Sequence, residues 1–142
     1  MRRVWVLVLA AVALWGFVGV APAAAARPAA TAPLFCQFIE PGGTSPHAGS
    51  CAPRNALRSY TIDYTISGVQ VLGWTVPSNV GAVGCAAGWS FCNLQENSRT
   101  FDQTFTVTVY YQLIAHASPL PAVTFSSSAT AFIPAVCGAA FC

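Results

Sequence analysis

Two histidines, four carboxylates and six cysteines are the side chains of this sequence with most capacity for chemistry. A Ser-His-Asp triad would need His47 or His116 beside a nucleophilic serine and an acid. Serines are plentiful, but none sits in the sharp strand-to-helix elbow that exposes a nucleophile. His47 lies in a Gly/Pro/Ser-rich stretch and His116 follows a strand-like segment, so both are expected to be solvated loop histidines. Glu40, Asp63, Glu96 and Asp102 are the only acids available for a glycosidase-type carboxylate pair. Asp63 and Asp102 fall among threonines on the polar faces of alternating segments, where they read as solubilising charges. No catalytic set emerges, and the expectation is a protein that is not an enzyme.

The cysteines are Cys36, Cys51, Cys85, Cys92, Cys137 and Cys142. An even number behind an export signal reads as a disulfide framework, for which six cysteines allow fifteen pairings. The local pairs Cys36 with Cys51, Cys85 with Cys92 and Cys137 with Cys142 are the simplest to form, but the sequence does not choose among the alternatives. On the chain-entropy account, closing the Cys85–Cys92 loop would contribute about 2.5 kcal/mol. The C-x2-C spacing of a zinc site is absent and the histidines lie far from the cysteines, so no metal or other cofactor is expected. With every cysteine bridged, no thiolate nucleophile remains. A bridge across Cys85-Ala86-Ala87-Gly88-Trp89-Ser90-Phe91-Cys92 would hold a rigid loop displaying Trp89 and Phe91, a candidate binding loop. Preorganisation lowers the entropy lost on binding, and tryptophan is a frequent interface anchor. The competing expectation folds Trp89 back as a lid on one end of the core. Trp74 is expected inside.

The export signal is the clearest feature. Arg2 and Arg3 precede the uncharged apolar run Val4 to Val20, then Ala21-Pro22 and the four alanines 23–26. A basic head, an apolar stretch and a small-residue end make a secretory signal peptide. Residues 1–26 are therefore expected to be removed by cleavage after Ala26, leaving a chain that does not span the membrane. The alternative is an uncleaved anchor, since the apolar run approaches the length of a spanning helix. Residues 27–33, rich in Ala and Pro, form an expected flexible lead-in, and 34–142 a single secreted domain. Arg27, Arg54, Arg58 and Arg99 balance the four acids of this part, and lysine is absent. So neutral a surface disfavours nucleic acid, which demands phosphate contacts, and anionic lipid, which attracts basic clusters. It also offers little repulsion against self-association.

Period-two patterning dominates the rest. Leu34–Ile39 is a short first strand, and residues 40–53 read as a long turn-rich loop. Tyr60, Ile62, Tyr64 and Ile66 alternate with Thr61, Asp63 and Thr65, the pattern of a half-buried strand. After the Ser67-Gly68 turn, Val69 and Val71 continue that pattern. A phase change at Leu72-Gly73 predicts a β-bulge that puts Leu72, Trp74 and Val76 on one face. A long strand is predicted from Phe101 to about Ala115, with Phe105, Val107, Val109, Tyr111 and Leu113 inward. A last one runs from Val123 to Ile133, with Phe125, Ala129, Ala131 and Ile133 inward. Pro119 and Pro121 mark the loop between them. No segment after the leader keeps a 3.6-residue period, so the expected class is an all-β, antiparallel β-sandwich.

The succession of motifs is similar to a known family. Tyr60-Thr61-Ile62-Asp63-Tyr64-Thr65-Ile66 is followed by a strand closing on Val76-Pro77, then Cys85 and Cys92 with Asn93-Leu94 after them. Thr104-Phe105-Thr106-Val107-Thr108-Val109 and Ser128-Ala129-Thr130-Ala131 complete the series. Over residues 58–133 this resembles the immunoglobulin-like repeat domains of unknown function on bacterial cell-surface proteins. The chain departs from their pattern in lacking Asn-x-Gly after the first strand. Residues 34–57 and the Cys137–Cys142 tail have no counterpart. The resemblance implies an immunoglobulin-like sandwich serving as an extracellular spacer or adhesion module, and it carries over no catalytic residue. The expected function is a secreted, non-enzymatic structural or interaction module. Its partner would be a cell-envelope glycan or another surface protein. The alternatives are a small carbohydrate- or ligand-binding domain and a secreted protease inhibitor.

Overall fold

The computed structural model describes residues 31–114 and 123–142. The expected signal peptide, its cleavage site, Arg27 and His116 lie outside them. Every regular element among the described residues is a strand. One sheet is built from β1 (Phe35–Phe38), β2 (His47–Ala48), β4 (Ser59–Thr65), β6 (Gly81–Val83) and β7 (Phe91–Asn97), in the order β2-β1-β4-β7-β6. The other contains β3 (Ser50–Cys51), β5 (Val69–Thr75), β8 (Gln103–Leu113) and β9 (Thr124–Ile133), in the order β3-β9-β8-β5. A hairpin of β10 (Val136–Cys137) and β11 (Ala140–Phe141) follows.

Alternation in the sequence becomes burial on one face of each sheet. Tyr60, Ile62 and Tyr64 of β4 and Phe105, Val107, Val109 and Tyr111 of β8 belong to one buried apolar cluster. On β9 the residues opposite are small: Ala131 faces Phe105 and Ala129 faces Val107. Small beside large lets the two inner faces interdigitate at the density of a protein interior. The Tyr64 hydroxyl crosses between sheets and donates to the Phe105 carbonyl (3.2 Å). Burial pushes this phenol far above its usual range, so it remains a donor at any working pH. Tyr111 stacks on Phe125 with ring centroids 5.9 Å apart, and its hydroxyl accepts from the Ala32 amide at 2.8 Å. The last residues of the expected lead-in are therefore docked on the core.

Several expectations need correction. Residues 40–53 are not wholly loop. β2 pairs with β1, the chain crosses at Gly49, and β3 then pairs with β9 in parallel, the one pairing among the described residues that is not antiparallel. The Gly49 amide donates to Leu34 O (3.0 Å) and its carbonyl accepts from the Thr130 amide (2.9 Å), so this residue bonds to both sheets. The predicted bulge is present, but Leu72 does not share a face with Trp74. Val71 lies opposite Tyr111 and Trp74 opposite Val109, both buried, which makes Leu72 the extra residue and leaves it 38% exposed. Leu113, expected inward, is also exposed, because β8 runs one residue past its last partner on β9. β7 has no counterpart in the period-two analysis, yet it pairs along its whole length with β4.

The three disulfides join Cys36 to Cys51, Cys85 to Cys92 and Cys137 to Cys142. The first ties β1 to β3, and so one sheet to the other. Asp102 is an anchor rather than a solubilising charge: its Oδ1 accepts from the Ala135 amide (2.9 Å), while the Val136 amide donates to Arg99 O (2.8 Å). Together they hold the C-terminal hairpin. Asp63 accepts from Gln37 Nε2 at 3.2 Å across neighbouring strands.

Candidate functional site

The loop between Cys85 and Cys92 is stitched to its surroundings by backbone as well as by sulfur. The Gly88 amide donates to Val71 O (3.0 Å), the Trp89 amide to Ala86 O (3.2 Å) and the Ile66 amide to Ser90 O (3.0 Å). The indole N–H of Trp74 donates to Trp89 O at 3.1 Å. The loop thus lies along β5 and covers part of that edge strand, which would otherwise invite pairing with another chain. Trp74, expected inside, packs against the core but is only half-buried.

Trp89 is 50% exposed, and its ring lies 5.0 Å from that of Phe91, tilted by 51°. The two expected display residues therefore differ. Phe91 is the first residue of β7, half-buried between the Trp89 ring and the backbone of Gly84. Only Trp89 is presented, on a support that its aromatic neighbour and the indole bond of Trp74 hold in place. It is not among the side chains that pack against the core.

A second feature was not legible as a site. Glu96 follows Cys92 and Leu94 on the inward face of β7, so the interior at this end of the sheets is polar. Gln103, also buried, donates to Asn97 O (3.1 Å) and accepts from Arg99 Nε (3.2 Å) once its amide is oriented to satisfy both. The Arg99 guanidinium lies 5.9 Å from the centre of the Phe101 ring. Glu96, Arg99, Phe101, Asp102 and Gln103 line an open cleft of about 430 Å3. Glu96 also borders a neighbouring depression of about 460 Å3 beside Tyr60 and Gly81. Burial raises the Glu96 pKa, and the positive charge of Arg99 partly offsets the rise.

The two buried glutamates contrast. Glu40, 8% exposed, accepts from the Arg54 amide (3.1 Å), the Asn55 amide (3.2 Å) and Asn55 Nδ2 (2.9 Å), which closes the loop after β1. Glu96, 9% exposed as a residue, opens with its carboxylate onto the cleft beside Arg99, and the buried side-chain atom without a partner among the described residues is Asn93 Oδ1.

Of the four acids considered for a carboxylate pair, Glu96 and Asp102 border one cleft, while Glu40 and Asp63 lie elsewhere. His47 is exposed on β2. Among the described residues no three His, Cys, Asp or Glu side chains cluster as metal ligands would. Comparison with known proteins finds no matching family model, no similar curated protein and no similar solved structure.

Proposed function

We propose that this chain is an exported, non-enzymatic interaction module of the bacterial cell surface or extracellular space, with an immunoglobulin-like sandwich fold and Trp89 as its contact residue. Strand order supports the fold. The successions β1-β4-β7-β6 and β5-β8-β9 correspond to the A-B-E-D and C-F-G sheets of immunoglobulin domains. Where antibody domains link strands B and F by a disulfide, this chain places the Tyr64–Phe105 hydrogen bond between β4 and β8. The Arg2-Arg3 head, the apolar run and the alanines before residue 27 support export and cleavage. Three disulfides fit an oxidising compartment.

The observation that carries the proposal is the braced loop holding Trp89 half in solvent. A rigid support removes much of the ordering cost that a flexible loop would meet on binding. Its partner is a cell-envelope glycan or a second surface protein. Immobilised protein is challenged with purified wall polysaccharide in one arm and with released surface proteins in the other. Trp89→Ala should weaken retention at least about tenfold, the range of an interface anchor, while the fold is retained and the melting temperature falls by only about 5 °C through loss of the ring contact with Phe91. Equal retention by wild type and variant would remove Trp89 from the contact. The near-neutral surface also permits self-association, which sedimentation over a range of concentrations measures.

A further inference from the structure

The three disulfides differ in what a thiol from outside can reach and in what it would expel. Thiol–disulfide exchange needs a thiolate at one sulfur of the bridge and a favourable departure for the other. In the bridge between the sheets both Cys36 and Cys51 are buried, so neither sulfur is open to attack. Cys85 is half-buried, but attack there would expel Cys92, which is fully buried in the apolar cluster of the core. A thiolate in such surroundings is poorly solvated, so its pKa rises and it leaves slowly. Cys137 and Cys142 are both exposed, so a thiolate has access to either one and the other departs into water.

Opening this last bridge also leaves both sheets in place, because β10 and β11 belong to neither. The hairpin has anchors other than sulfur. The Ala135 amide donates to Asp102 Oδ1 (2.9 Å), the Val136 amide to Arg99 O (2.8 Å) and the Cys142 amide to Ala135 O (2.8 Å), and the Val136 side chain is buried. All six cysteines are bridged, so no thiol of the chain itself starts an exchange. The attacking thiol comes from another molecule.

We propose that Cys137–Cys142 is a thiol-exchange site, through which this domain forms a reversible mixed disulfide with a thiol-bearing molecule. The incoming thiolate bonds to one sulfur of the bridge and the Cys137–Cys142 bond breaks. The other cysteine leaves as a thiolate and takes up the proton that the incoming thiol gave up. One disulfide replaces another, with no net oxidation or reduction. The pairing of β10 with β11, Val136 opposite Phe141 and Cys137 opposite Ala140, keeps the freed sulfur close, so that it attacks the mixed disulfide in turn and releases the partner. A low-molecular-weight thiol and a cysteine on another protein present the same chemistry.

The test incubates the disulfide-bonded protein under native conditions with reduced glutathione in one arm and with a peptide carrying one cysteine in the other. Exchange is stopped by mild acid, free thiols are capped with N-ethylmaleimide, and adducts and caps are located by peptide mass spectrometry. Both should appear at Cys137 and Cys142 at least about tenfold faster than at any other cysteine, with circular dichroism unchanged. Reaction with glutathione identifies a small thiol as sufficient; reaction with the peptide alone identifies a cysteine on a partner. The Cys137→Ser/Cys142→Ser variant should form no adduct in the same interval. Opening of Cys85–Cys92 as fast or faster, adducts that persist in the double variant, adducts that arise only as circular dichroism is lost, or no adduct in either arm would overturn the proposal. Trp89→Ala should leave the exchange rate unaltered, which separates this site from the loop contact.

Discussion

Gly84→Ala tests how the Trp89 loop is supported. Gly84 has φ of +77°, and a Cβ added there would lie 2.9 Å from Phe91 Cδ2, 3.2 Å from Cζ and closer still to Cε2. The left-handed backbone alone costs an alanine about 1 kcal/mol. Moving a packed ring adds about 1–3 kcal/mol, for a total of roughly 2–4 kcal/mol. Gly88 is the internal control: its φ is +84° and a Cβ there meets nothing within 4 Å, so Gly88→Ala carries the backbone cost only. In a domain of this size about 1 kcal/mol moves the melting temperature by roughly 5 °C. Gly88→Ala should therefore lower it by about 5 °C and Gly84→Ala by about 10–20 °C. Urea unfolding followed by tryptophan fluorescence measures both free energies. In a Phe91→Ala background the cost of Gly84→Ala should drop to that of Gly88→Ala. If the two glycine variants lose equal stability, or the excess at Gly84 survives removal of the Phe91 ring, the close approach of backbone and ring is not what shapes this loop.

Tyr64→Phe removes the hydroxyl that bridges β4 and β8 and should cost about 1 kcal/mol in chemical denaturation, with the fold retained. Glu96 has a folded-state pKa raised above its ordinary value of 4.5, so the native state holds its proton to higher pH than the unfolded chain does. Its contribution to stability is complete below the unfolded-state pKa and is lost as pH rises through the folded one. Glu96→Gln should abolish that decline, read from denaturation midpoints of wild type and variant between acid and neutral pH. Replacing Cys36 and Cys51 together by serine opens a loop of 15 residues' separation and should cost about 3 kcal/mol. The same change at Cys137 and Cys142, separated by 5 residues, should cost about 2 kcal/mol and loosen only the terminal hairpin in hydrogen exchange.

β4, β8 and β9 were legible in the sequence because alternation of Tyr, Ile, Val and Phe with Thr, Ser and Asp is a local signal. A half-buried strand imposes it residue by residue. The bulge was legible for the same reason, as a break in that period, but not which residue it would expel. Leu72 is outside because Val71 and Trp74 each meet a buried partner on β8. β7 escaped notice because Cys92-Asn93-Leu94-Gln95-Glu96 is mostly polar, and its strand conformation comes from pairing with β4 and β6. β2, β3 and β6, two or three residues each, exist only through their partners.

The sequence by itself determined the all-β class, most of the inward positions of three long strands and a disulfide framework, since these depend on composition and short-range periodicity. Tertiary structure alone decided which cysteines meet, that one bridge joins the two sheets, and that Trp89 rather than Phe91 is presented. It also separated Glu40, held by three donors, from Glu96, which opens onto a cleft. Two glutamates are identical as letters. What distinguishes them is the desolvation and hydrogen bonding that distant segments bring to each, and that exists only once the chain has closed on itself.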